Sequence, residues 1–373
     1  MPLIILDDPD STLSMLRESV AGMAARTDPA AVMRRRRSAG ADLDAEVWQE
    51  MAQAGWLGLS LPEDLGGAGL GMAELAVLSE SLGRALVTEP FAMLSVFPGA
   101  LLAALEPSDT VRDLAEGIAN GARIVPVLWQ DARGRCQPLQ LSPEGVLGGE
   151  AHLVSGGASA TAFLVLAQQG DTRVLLRVRA GGEGVRVHQR PGIDAATLSN
   201  VAFQGVAVAA GDILAQGPAV EGAFDHAIRM TRLALAAELA GLGARALELT
   251  VDYTRERVQF GKSIASFQAI QHRLVDMWAD SEFACAAVAN AVEAGKNGPG
   301  PGPALSLAVL AAKARAGEAA TSITRRAVHL HGAMGFTDQS DIGLYLKRAI
   351  ALNATLGQPE EMRLAFLDVE NAA

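Results

Sequence analysis

The stretch RERVQFGKSIASFQAIQHRLVDM, Arg255 to Met277, decides how this chain is read. A helical period carried by Leu247 and Val251 runs into it and stops at Phe260 and Gly261. A second helix then collects Ile264, Phe267, Ile270, Leu274 and Val275 on the side predicted to be buried. An aromatic, a glycine and several polar side chains thus interrupt a run made largely of Ala, Leu and Val. Arg257 falls at the helix end, where a guanidinium either binds a phosphate or pairs with the last carbonyls; spacing alone favours the carbonyls.

The whole chain has 373 residues, half of them apolar and a fifth charged, which predicts two or three domains around a large buried core. A net charge of −11 argues against nucleic acid as a partner, because phosphate recognition needs a basic surface. The one basic run, MRRRR from Met33 to Arg37, reads as a solvated face near a helix end. Cys136 and Cys285 lie far apart and in no metal-like spacing, so neither a disulfide framework nor a zinc site is indicated. The opening MPLIILDDPDST turns acidic too early for a signal peptide, and no run of about 18 apolar residues occurs elsewhere. A soluble cytoplasmic protein with no membrane segment is expected.

Along the chain the period changes twice. DLDAEVWQEMAQAGWLGL carries Val47, Met51 and Leu57 on one helical face, and MAELAVLSESLGRAL repeats Leu75, Leu78 and Leu82. Between them SLPEDLGGAGLG, Ser60 to Gly71, reads as a connector whose glycines allow tight backbone approaches. From Ala122 the runs RIVPVLWQ, HLVSG, TAFLVLAQQ, TRVLLRVRA, GVRVHQR, LSNVAFQGVAV and DILAQG are β-type and divided by turn residues. Helical pattern returns at Glu221, with GKNGPGPGPAL, Gly295 to Leu305, as a mobile turn between two long helices. The fold class is therefore α+β: an N-terminal helical domain (1–121), a middle β-sandwich or barrel (122–218) and a C-terminal bundle of four-helix type (219–373).

A second polar cluster, AVHLHGAMGFTDQSDIGLYLKRA, spans Ala327 to Ala349. His329 and His331 point to different sides of a helix, which disfavours a shared metal. Together with the Arg255–Met277 stretch, this segment resembles the two signature regions of the acyl-CoA dehydrogenase family. GWLGLSLPEDLGGAGLGMAELAVLSESLGRAL is similar to that family's N-terminal domain, and GIDAATLSNVAFQGVAVAAGDILAQG to the end of its β-domain. The resemblance implies FAD as cofactor, an acyl-CoA thioester as substrate, α,β-dehydrogenation as reaction, a tetramer built as a dimer of dimers, and an electron-transfer flavoprotein or similar acceptor. It also implies that the R-x-Q-F-G turn crosses a dimer interface to the diphosphate and adenosine of the neighbour's FAD, which would assign Arg257, Gln259, Phe260 and Gln268. The His-Gly-x-x-Gly segment would add backbone contacts at Gly332 and, more weakly, at His329. The residue types suit those roles: Arg holds a diphosphate bidentately, Gly admits close approach, and Phe packs beside adenine.

The chain departs from the family at the chemistry. The family's glutamate base stands twenty residues past the Phe of the second signature, which here is Leu356, before Gly357. A second group of relatives carries it directly before an arginine, which here is Thr231 before Arg232. No catalytic residue can therefore be assigned. Glu238, Glu360 and Glu361 are the nearest carboxylates along the chain. The flavin-contacting Thr-Glu-Pro to Gly-Ser segment corresponds to WQDARGRC, with Arg135 in the serine position; a flavin-packing tryptophan is replaced by Leu153, while Ser155 keeps a hydroxyl. Three readings follow. The chain is a dehydrogenase with a displaced base; or it is a non-catalytic subunit that completes the FAD site of a paralogue in a heterotetramer; or it is a monooxygenase-like relative that needs no base. The joint losses at Leu356, Thr231, Leu153 and Arg135 favour the second.

Overall fold

The computed structural model describes residues 1–296 and 302–372. The middle of the expected Gly295–Leu305 turn lies outside them. In chain order the helices are α1 (Thr12–Thr27), α2 (Pro29–Ala39), α3 (Ala45–Gln53), α4 (Met72–Arg84), α5 (Phe97–Ala103) and α6 (Asp109–Ala119). Eight strands follow: β1 (Val127–Leu128), β2 (Leu139–Leu141), β3 (Val146–Ser155), β4 (Ala162–Gln169), β5 (Thr172–Arg179), β6 (Val185–Pro191), β7 (Thr197–Ala207) and β8 (Ile213–Gln216). Then come α7 (Pro218–Glu256), the short strands β9 (Val258–Gln259) and β10 (Lys262–Ser263), α8 (Gln268–Lys296), α9 (Pro303–Leu330), α10 (Ile342–Ala354) and α11 (Pro359–Ala372). Helices, a central sheet and a helical C-terminal part are thus the observed α+β architecture.

In space the chain forms two compact units that do not follow chain order: Met1–Met33 with Met72–Thr88 and Arg232–Ala373, and Arg34–Gly71 with Glu89–Thr231. The second holds the sheet, in strand order β6-β7-β3-β2-β4-β5-β8 with β1 beside β4. In a flat sheet β4 and β7 would lie three spacings, about 14 Å, apart. Yet Phe163 of β4 and Phe203 of β7 meet edge to face with centroids 6.2 Å apart, so the sheet curls around one core. Register shifts in the β3–β7 and β5–β8 ladders supply the bend. The predicted strand runs reappear as strands, but β2 and the first half of β3 were not foreseen. Pro138 and the glycines of GVLGGE hide their alternation.

Asp44 caps α3 by accepting from the N–H groups of Glu46 and Val47 at 3.1 and 3.3 Å. That helix stops at Gln53, and Leu57 sits in a separate turn, Trp56–Gly58, rather than on the predicted continuous face. The basic run is not wholly solvated either. Arg36 is buried and pairs with buried Glu89 at 2.8 Å, and Glu89 also accepts from Asp44 N at 3.3 Å. A charge in the interior persists only when paired, so this arginine fastens α2 to the segment after α4.

In the first unit α4 and α7 cross backbone to backbone. A Cβ on Gly83 would collide with the Glu238 carbonyl, and one on Gly241 with the Glu80 carbonyl, so both positions exclude any side chain. One expectation fails here. Ile264 and Phe267 precede α8, Ile270 and Leu274 are half-buried, and Val275 is 60% exposed, so the first turns of α8 bury no core face within this chain. Continuous burial begins near Met277. Among the described residues no helix is long and apolar enough to cross a membrane.

Replacing Glu89 by Gln removes the carboxylate charge that faces the buried Arg36 guanidinium at 2.8 Å. Thermal unfolding of E89Q should show a loss of about 3–5 kcal/mol of stability, the scale for breaking a buried pair.

Candidate functional site

The interrupting stretch is a minimal hairpin. β9 and β10 pair Gln259 with Lys262, and the two residues between them, Phe260 and Gly261, both have positive φ, +54° and +78°. Such two-residue turns prefer Asn-Gly; a phenylalanine there is strained and stands 91% exposed, with its ring edge-on to Phe267. Lys262 lies over the Phe267 ring at 4.3 Å, stiffening the base of the turn. Arg257 is exposed; its backbone N–H donates to Tyr253 O and its carbonyl accepts from Ile264 N, both at 2.9 Å, while its side chain has no partner among the described residues. The guanidinium therefore does not cap the helix, contrary to the reading that spacing alone favours. Gln259 reaches only the carbonyl of Val258, and Gln268 opens α8 on the surface.

The two signature segments meet. Tyr253, one turn before Arg257, stacks on His331 at 4.3 Å and donates its hydroxyl to His331 O at 3.1 Å. His331 Nδ1 donates to Ala327 O at 2.8 Å, and burial lowers its pKa. It is a packing histidine that fixes the end of α9. His329 faces outward and accepts at Nδ1 from Arg273 at 2.9 Å, since a guanidinium only donates; this leaves Nε2 as the ring's donor. Gly332 has φ +60° with open space around its Cβ position, and Phe336 is exposed beyond it. A free guanidinium, a projecting aromatic and two open glycine turns have the chemistry that an adenosine diphosphate requires.

The segment 129–136 is built differently. The Asp131 carboxylate accepts from the N–H groups of Arg133 and Arg135 at 2.8 and 2.9 Å, and Asp131 N donates to Arg135 O at 2.9 Å. The backbone hydrogen bond from Arg135 is the main cause that lowers the Asp131 pKa. The loop is closed on itself through the N–H groups of Asp131, Arg133, Gly134 and Arg135. Trp129 packs among Phe97 and Phe224, at centroid distances of 6.2 and 5.6 Å, and its buried Nε1 finds no acceptor. Leu153 stands at φ +56° beside a bulge, and Ser155 is half-buried in β3. Ser155 keeps a hydroxyl that an isoalloxazine could use, whereas Leu153 offers it no aromatic face.

The positions that the resemblance assigns to the base, 231 and 356, hold threonine and leucine. Thr231 is fully buried and spends its hydroxyl on Ala227 O at 2.7 Å. Leu356 is 6% exposed at φ +56°, and its carbonyl accepts from Arg232 Nε at 3.1 Å. Glu238 is not a free base: one of its oxygens accepts from Arg348 Nε and Nη2 at 2.9 and 2.6 Å in a buried pair. Glu361 accepts from Gln358 N at 2.8 Å, and Glu360 is exposed. One residue was missed. Lys313 is fully buried and donates to the carbonyls of Asn353 and Gly357 at 3.2 and 3.1 Å. Its signal was a lone lysine amid Val309, Leu310, Ala314, Ala316 and Gly317 on α9. Burial first, then the Arg232 charge, drives its pKa down to about 7, against a pull upward from Glu361.

Helical N-terminal part, central sheet, C-terminal bundle and the paired signature turns define an acyl-CoA dehydrogenase fold. Residues 10–105 match the acyl-CoA dehydrogenase N-terminal domain and residues 222–367 the C-terminal domain. The chain is 31% identical over 365 residues to acyl-CoA dehydrogenase IpdE2 of Mycobacterium tuberculosis, covering 95% of this chain and 96% of the relative. It belongs to the acyl-CoA dehydrogenase family, whose cofactor is FAD. Among solved structures it is similar to the Tcur3481-Tcur3483 steroid ACAD, with a TM-score of 0.84, 29% identity and coverage of 96% of this chain and 98% of that one. It is also similar to the ChsE4-ChsE5 complex from Mycobacterium tuberculosis, with a TM-score of 0.87, 25% identity and coverage of 100% and 99%.

The Lys313 pKa lies below its unfolded value, so from about pH 7 up to the ordinary lysine range the unfolded chain binds a proton that the folded chain has released. Stability contributed at this site should therefore rise with pH across that window and stay level below it. Denaturant titrations at pH 6.5, 8 and 9.5 should show that rise in the wild type relative to Lys313→Met, in which no amine titrates.

Proposed function

We propose that this chain is the base-lacking subunit of a heteromeric, FAD-dependent acyl-CoA dehydrogenase. It lends the Arg257 turn to the FAD of a base-containing paralogue, and its own ring-side pocket is closed. The observation that carries this reading is Leu356, an apolar side chain in the base position, with Thr231 in the other and Glu238 committed to Arg348. FAD, where bound, takes the hydride that leaves the β-carbon of an acyl thioester. The residues of this chain then act on binding. Arg257 would neutralise a diphosphate, Phe260 would cover an adenine, Gln259 and Gln268 would add donors, and Gly332 with its neighbour His329 would admit and face the same group. None of them is a carboxylate.

The self-capped Asp131 loop supports the closed half, because its N–H groups are already paired. Solved relatives described as a two-chain complex and as a steroid ACAD support a heteromeric assembly acting on a bulky acyl-CoA; its form as a heterotetramer and an electron-transfer flavoprotein or similar acceptor are part of the proposal. Val275, Trp278 and Phe283, all exposed on α8, supply an apolar face for such an assembly, which we place in the cytoplasm. The chain-order division into residues 1–121, 122–218 and 219–373 belongs to the same proposal. One observation favours a displaced-base enzyme instead: the Ser155 hydroxyl is unpartnered among the described residues and could serve a flavin of its own.

The two readings differ in symmetry. In the co-expressed assembly, Arg257→Ala in this chain should cut FAD retention about tenfold or more, while the matching change in the paralogue should leave it unmoved. Equal losses from both changes would mean that both sites are filled, and the subunit reading would fall.

A further inference from the structure

Lys313 has a geometry that the missing base does not explain. Its only partners among the described residues are two carbonyls, those of Asn353 and Gly357, at the two ends of the turn that carries Leu356. Arg232 holds the carbonyl between them, that of Leu356. Two cations from α7 and α9 thus draw three carbonyls of a five-residue turn toward themselves. Trans peptides then fix where the donors go, because each N–H opposes the carbonyl before it. With Gly357 O on Lys313, Gln358 N–H meets the Glu361 carboxylate at 2.8 Å. With Leu356 O on Arg232, Gly357 N–H points away from the guanidinium. Neither Leu356 N–H nor Gly357 N–H has an acceptor among the described residues.

The turn needs such a hold. Leu356 at φ +56° and Gly357 at φ +107° are not conformations that an unrestrained chain favours, leucine least of all. Full burial of an amine is costly, and two short-range carbonyl bonds are what this one obtains in return. The arrangement also tolerates a change of charge. An ammonium has three donors and a neutral amine two, and there are two carbonyls to serve, so both bonds can persist in either state.

We propose that Lys313 is a positioning residue: it clamps the Asn353–Gly357 turn so that the Leu356 and Gly357 N–H groups stay free to receive a carbonyl oxygen. That this oxygen belongs to an acyl thioester rests on the function proposed above; the clamp itself does not. The subunit then keeps a carbonyl-holding turn after losing the base, so it could bind a thioester it cannot oxidise.

Hydrogen exchange in the assembled protein tests the clamp without flavin or substrate. The amides of Thr355, Gln358 and Met362 are hydrogen-bonded around the turn, to Leu352 O, the Glu361 carboxylate and Gln358 O. In Lys313→Met the segment 352–362 should exchange about tenfold faster while the interior of α9 keeps its rate and the unfolding midpoint does not fall. Lys313→Gln, which retains a shorter donor group, should recover part of the protection. Unchanged exchange at 352–362 in a folded K313M overturns the proposal, as does a uniform rise over α9 and the turn together. If neither variant folds, Lys313 is a stability element of the core and the positioning role is rejected.

Discussion

The buried pair between Glu238 and Arg348 is the contact on which the rest of the first unit depends. Two charges out of water are tolerable only while they face each other, so α7 and α10 cannot slide without leaving both unpaired. The glycine crossing of α4 and α7 fixes the same level of α7 from its other side. With α10 anchored, the turn at its C-terminal end, which carries Leu356, is delivered to Arg232 and Lys313. The contact that orders this region also commits Glu238, one of whose oxygens already accepts two guanidinium hydrogen bonds.

The two segments that the resemblance assigns to a cofactor are built in opposite ways. The Phe260–Gly261 hairpin spends strain to hold an aromatic ring in solvent, which makes sense only for a group or chain that comes to it. The 129–136 loop does the reverse, using Asp131 to satisfy its own donors. A homomeric enzyme would need both halves competent in every copy. A subunit that completes a partner's site needs only the first.

How far the sequence could be read follows from where each signal is local. The sheet strands were legible because alternation and turn residues recur within a few positions, and the hairpin because Phe-Gly breaks a helix at a definite point. Leu356 and Thr231 were singled out by counting from a motif, which a local signal allows. Lys313 was not: in a one-dimensional reading a lysine is presumed solvated, and its burial comes from α10 and α11 packing over α9. Arg36 was hidden for the same reason inside a run of arginines. The side of α8 was misjudged because Val275 and Leu274 are apolar without being core; periodicity reports that a face avoids water and is silent on whether this chain or another covers it.

The measurement that bears most directly on the account is the number of flavins per chain, from released and quantified cofactor, in the protein purified alone and after co-expression with a base-containing paralogue. The account predicts little or no flavin alone and about one flavin for every two chains in the co-purified assembly, since the 129–136 loop closes one site of each pair. One flavin per chain in the protein purified alone would contradict it, and would mean that the closed loop opens and that a base lies elsewhere.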